Sequence, residues 1–90
     1  MVLAWPTKDP NEVLDYVVDW SDRLGEDIIS TSEWTVPDDI TQDSDSKTDT
    51  TTTIWLSGGT VGTTYTFINR ITTTGGRTMD QSVKLKLKEK

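Results

Sequence analysis

The sequence predicts an all-β fold: an immunoglobulin-like β-sandwich of about six or seven short antiparallel strands, preceded by an extended N-terminal arm. Three observations predict it. Runs rich in threonine, valine, isoleucine and aromatic residues recur with period-two alternation. Glycine pairs and prolines punctuate those runs about every 8 to 12 residues. Tyr65, three residues after Gly62, opens the strand before the final hairpin, where such sandwiches keep a tyrosine corner.

Residues 1–13 hold Pro6 and Pro10 and show no clear period, so they read as an extended arm ahead of a sandwich domain at 14–90. Leu3 and Trp5 on that arm either fold back on the domain's own core or dock on a neighbouring subunit. A thin core has little apolar surface to cover them, which makes both candidate interface residues. "LDYVVDWSDRL" (14–24) reads as a strand carrying Tyr16, Val18 and Trp20 on one face, because its helical stripe is ragged. In "DIISTSEWTV" (27–36), Ile28, Ser30, Ser32, Trp34 and Val36 share a face, and Pro37 stops the strand.

The polar run 38–53 fits two short strands turning near Ser44 to Lys47, with a loop as the alternative. "TTTIWLSG" (51–58) favours strand throughout and ends at Gly58-Gly59. In 62–74, Tyr65, Phe67 and Ile71 face opposite Thr66, Ile68 and Arg70. "TGGR" (74–77) is a hairpin turn, with Gly75 and Gly76 available for the positive φ such turns need. Val83, Leu85 and Leu87 then point inward and the intervening lysines outward, a pattern suited to an edge strand protected from aggregation.

A chain of 90 residues with 32% apolar content has only a modest core. It lacks cysteine and histidine, so neither disulfides nor the usual zinc ligands can support it. Support from partner chains is the remaining expectation. A net charge of −6, with basic residues clustered only near the C-terminus, argues against nucleic acid as partner. No window is apolar enough to span a membrane, and the N-terminus lacks the features of a signal peptide. Use inside a cell, or in something assembled there, is expected.

Catalysis finds no foothold. Serine or threonine nucleophiles lack a histidine base, and Ser44-Asp45-Ser46-Lys47 reads better as a polar turn than as a Ser–Lys pair. Paired carboxylates are plentiful, but a small sandwich leaves little room for a sugar-sized cleft. Asp43-x-Asp45-x-Lys47 begins like a calcium loop, then puts a cation third and lacks the central glycine and closing glutamate. "SGGTVGTT" lacks the Gly-Lys ending of a phosphate loop and leads into a strand. Gly58, Gly59 and Gly62 are therefore turn residues, and Tyr65 is structural. No metal, cofactor or enzymatic activity is expected. Trp55 lies opposite Ile54 and Leu56, which makes it a candidate interface residue or a platform for carbohydrate on a host surface.

Several segments together resemble a family of small tailed-bacteriophage virion proteins of the fibre–tail adaptor type. The pattern comprises Leu14-Asp15-Tyr16 with Asp19-Trp20, and Asp27-x-Ile29-x-x-Ser32-x-Trp34. It continues with Trp55-Leu56-x-Gly58-Gly59-x-x-Gly62-x-x-Tyr65, then Ile71-Thr72-Thr73 with Gly76-Arg77. The resemblance covers about residues 14–88. It implies a small sandwich in several copies in the tail or neck of a virion, joining other virion proteins to fibres after assembly in the host cytoplasm. The alternative remains a carbohydrate- or host-surface-binding module.

Overall fold

Alternation in the sequence becomes two facing sheets in the computed structural model, which describes residues 3–89; Met1, Val2 and Lys90 lie outside the described residues. One sheet holds, in order, β1 (Leu3–Ala4), β7 (Thr78–Lys86), β6 (Thr64–Thr73) and β3 (Ile29–Thr35). The other holds β2 (Leu14–Asp19), β5 (Thr51–Gly58) and β4 (Ile40–Lys47). Every neighbouring pair is antiparallel except β1, which runs parallel to β7. The order matches an immunoglobulin-like sandwich: β2, β5 and β4 stand as strands B, E and D, and β3, β6 and β7 as C, F and G. Between the sheets, Ile54, Leu56, Phe67, Leu85 and Leu87 form one fully buried group. Trp20, Leu24, Ile29, Ile71 and Val83 form a second.

The arm is the largest departure from expectation. Leu3 and Ala4 pair with Val83 and Lys84, Trp5 N–H donates to Lys84 O at 2.9 Å, and Lys8 bridges to Leu87. Proline at 6 interrupts the pairing without ending it, since the lost donor falls between two bonded stretches. Trp5 stacks on Tyr16 at 4.7 Å, meets Phe67 at 5.5 Å and Trp34 at 5.8 Å, and packs against both core groups. Its indole N–H donates to Val17 O at 3.2 Å. Leu3 joins the second core group. Within this chain both residues therefore cover its own core, and their assignment as free interface residues is corrected. Lys8 is buried too, its ammonium donating to the carbonyls of Asp9 and Gly58.

Four smaller corrections have local causes. β2 stops at Asp19, whose carboxylate accepts Ser21 N–H at 2.9 Å and opens the single-turn helix α1 (Ser21–Leu24). That turn buries Trp20 and Leu24 together, as the i, i+4 spacing allows and a strand does not. In β3, Ile29 pairs with Thr73 and Thr31 with Thr72, so Ser30 is an extra residue. The bulge exchanges the two faces, turning Ile29 inward and Ile28 out while Ser32 and Trp34 keep the expected side. The 38–53 hairpin turns at 48–50 rather than 44–47, closed by Thr48 N–H to Thr51 O at 2.9 Å. Its first strand is an edge, exposed from Thr41 onward, which explains its polar composition. Finally, β7 lies between β1 and β6, so its lysines decorate a face and not an edge.

One polar residue crosses the core. Asn69 on β6 is fully buried, and its carbonyl accepts from the Trp20 indole N–H (3.0 Å) and the Thr52 hydroxyl (2.6 Å). Its amide donates to Ser32 Oγ (2.9 Å) and Glu33 O (3.0 Å). Every hydrogen-bonding position of the side chain is filled.

Three outcomes follow from this packing. Trp5→Ala should lower the unfolding free energy by about 3 to 5 kcal/mol in urea denaturation, as a large core truncation does. Deleting residues 1–10 should unfold the sandwich or shift its midpoint further. Asn69→Leu should cost about 3 kcal/mol or more, because it leaves several buried donors and acceptors unpaired at about 1–3 kcal/mol each.

Candidate interaction surface

The residues singled out as structural gather at two ends of the sandwich. At one end Tyr65 enters β6 with its ring buried, and its hydroxyl accepts Thr60 N–H at 2.9 Å from the β5–β6 connection. The same hydroxyl reaches Asp39 Oδ2 at 3.4 Å, fastening the start of β4 as well. Gly58, Gly59 and Gly62 shape that connection with positive φ. At Gly59 a β-carbon would also come within 2.8 Å of Leu87.

At the other end, Thr74, Gly75 and Gly76 form a three-residue hairpin loop with only Gly76 at positive φ, +89°. Gly75 is required for a different reason than its neighbour. A β-carbon there would lie 2.7 Å from Asp27 Oδ2. Asp27 Oδ1 accepts from the amides of Gly75 and Ile28 at 3.0 Å each and from the Thr74 hydroxyl at 3.1 Å. Oδ2 faces Arg77 Nε at 3.3 Å. The Thr73 hydroxyl foremost holds the Asp27 carboxyl at about 2; burial pushes the other way, and the Gly75 and Ile28 amides and the Thr74 hydroxyl add to the lowering.

The two outer sheet faces differ in character. On the β2–β5–β4 sheet, Trp55 stands outward, 41% exposed, between Asp15 on β2 and Ser44 on β4. Val17, 49% exposed, pairs with Thr53 one row away, and Asp19 lies beyond it. On the opposite face Arg70 is bidentate to Asp80, at 2.8 and 3.0 Å, with Glu33 paired across on β3. That pairing raises the pKa of Arg70 and lowers that of Asp80. Ile68, 37% exposed, sits in the adjacent row at the edge of a shallow depression of about 180 Å³. Lys84 and Lys86 project from β7 beside Thr66 and Thr64.

Trp55 is thus on an open face, whereas Leu3 and Trp5 are not. Val17 and the Glu33–Arg70–Asp80 row were missed as surface features. Val17 was legible from its alternation with Tyr16 and Val18, but the charged row needs the register of three strands. Ser44 and Lys47 fall on opposite sides of β4, as residues three apart on a strand must, and Lys47 Nζ donates to Ile29 O at 3.3 Å. Among the described residues no group of three acidic side chains is arranged to hold a metal ion. Asp43 sits at a bulge of β4, between Gln42 and Ser44.

A family model described as Podophage GP4 fiber-tail adaptor protein gp77 matches residues 8–86. No curated protein matches the chain.

Tyr65→Phe should cost about 0.5–1.5 kcal/mol, because the part-buried hydrogen bond from Thr60 N–H loses its acceptor; equal denaturation midpoints for variant and parent would contradict the corner. The Asp27 carboxyl is held below its unfolded value of 3.8, so its contribution to stability is present above that value. It is lost as pH falls towards about 2. Asp27→Asn should therefore lower stability at neutral pH and flatten the decline of the thermal midpoint across that acid window.

Proposed function

Because the chain belongs to the Podophage GP4 fiber-tail adaptor gp77 family, we propose that it is a non-enzymatic structural protein of the phage virion. It works in several copies at the tail or neck and joins neighbouring virion proteins to the fibre through protein–protein contacts, after assembly in the host cytoplasm. The match over 8–86 carries this reading, since it spans every strand from β2 to β7 and so both sheets. The molecule's surface is in keeping with it. Its outer faces offer an exposed tryptophan, hydroxyls and charged rows suited to a partner protein. Nucleic acid is a poor partner for a chain of net charge −6. No helix among the described residues is long and apolar enough to cross a membrane.

A second reading has one observation in its favour. Trp55, flanked by Asp15 and Ser44, presents an indole beside hydrogen-bonding groups, the elements of a sugar-stacking platform. The decisive comparison uses Trp55→Ala, an outer-face change expected to alter stability by about 0.5 kcal/mol or less. Under the adaptor reading, electron microscopy and protein analysis of purified tails locate the chain at the fibre attachment. The variant should then be incorporated at least about tenfold less, as loss of an interface hot spot implies. Binding of the isolated chain to a glycan array, abolished by the same substitution, with no chain in the tail, would establish the second reading instead.

A further inference from the structure

The two outer faces of this sandwich are complementary to each other. On the β2–β5–β4 sheet, Asp15 and Asp19 flank Val17, and Trp55 stands beside Asp15. The only cation on those three strands, Lys47, lies in the inward row opposite Thr52 and is engaged with Ile29 O. On the other sheet, Lys84 and Lys86 stand beside threonines, with Ile68 diagonal to Lys84. Arg70, by contrast, is already neutralised by Asp80. Among the described residues, each face thus presents unpaired charges of one sign beside an exposed apolar side chain: Asp15 and Asp19 with Val17 and Trp55 on one, Lys84 and Lys86 with Ile68 on the other.

We propose that the acidic face of one copy, centred on Trp55, docks on the lysine face of a second copy, and that this head-to-tail contact is how copies join. It rests on the multiple-copy reading above and adds which surfaces meet. Like faces would set aspartate against aspartate or lysine against lysine, so a two-fold symmetric pair is disfavoured. A contact between two different faces leaves one of each unused, and the assembly continues until it closes into a ring or extends as a filament.

The test uses the full chain and sedimentation velocity. The parent should show mass growing with concentration beyond a dimer at low ionic strength, and less so in about 1 M salt. One variant, Asp15→Asn with Asp19→Asn and Trp55→Ala, removes the acidic face; the amide oxygen of asparagine at 19 can still accept the Ser21 N–H. The other, Lys84→Gln with Lys86→Gln, removes the lysine face. Each alone should associate at least about tenfold more weakly than the parent, a loss of about 1.4 kcal/mol. An equimolar mixture should form one-to-one dimers and stop there, because each molecule retains a single competent face. Circular dichroism and the thermal midpoint verify folding, and Trp55→Ala alone replaces the triple variant if that one does not fold. A parent that stays monomeric to about 1 mM, a parent that stops at dimers, variants that assemble like the parent, or a mixture that stays monomeric each overturns the contact. If tails contain the chain and the contact fails, only this inference falls; absence from tails removes the adaptor reading itself.

Discussion

A single buried amide couples the two sheets. Asn69 receives the Trp20 indole and the Thr52 hydroxyl from the β2–β5–β4 side and gives its own protons to Ser32 and Glu33 on β3. A hydrophobic side chain in its place would let the sheets slide, since apolar contacts have no directional preference. The amide instead fixes one position of β6 relative to both layers, and it adds cost to any other register by leaving four groups unpaired. The bulge in β3 has meaning in that frame. It sets the inward row of that strand so that Ser32 reaches Asn69, while Ile29 still reaches the core.

The absence of cysteine has a structural answer of its own. In antibody-type sandwiches a disulfide joins strands B and F, with the second cysteine two residues beyond the corner tyrosine, and a tryptophan from strand C packs on it. Here Phe67 stands two residues beyond Tyr65, and Trp34 comes from β3. Trp5 fills the space between them and Tyr16. The covalent link is replaced by an aromatic cluster whose central member is borrowed from the arm. Burial of Tyr16 is deep enough to push its hydroxyl up to about 12, with Glu12 and Asp15 adding to the effect. The arm is therefore part of the core despite its sequence.

Most strands were legible because their two faces differ in chemistry. Residues 64–73 and 82–87 show it plainly, where Tyr65, Phe67, Ile71, Val83, Leu85 and Leu87 all lie inward. Legibility failed where the signal is not local. Edge strand β4 buries only Ile40, so no alternation marks it, and its turn could be placed only from pairing with β5. The arm's prolines read as breakers, while its partner lay at the far end of the chain. Gly75 looked like a second conformational glycine, yet it is needed for the space it leaves to Asp27. On the surface, Trp55 could be placed from its neighbours Ile54 and Leu56, but the Glu33–Arg70–Asp80 row belongs to three strands and to no single motif.

The parallel pairing of β1 with β7 also bears on the order of events during synthesis. Leu3 meets Val83, eighty positions further along, and Lys8 meets Leu87. Trp5, which binds both halves of the core together, cannot be held in place before β7 exists. The early strands must wait on the ribosome with an unsealed interior, and closure involves contacts of the longest sequence separation, the kind that slows folding. During that interval the indole at position 5 is exposed to other nascent chains. The acidic and hydroxyl-rich strands from Ile40 to Thr53 emerge in the same interval, and their charge and solubility help keep the unfinished sandwich from pairing with others.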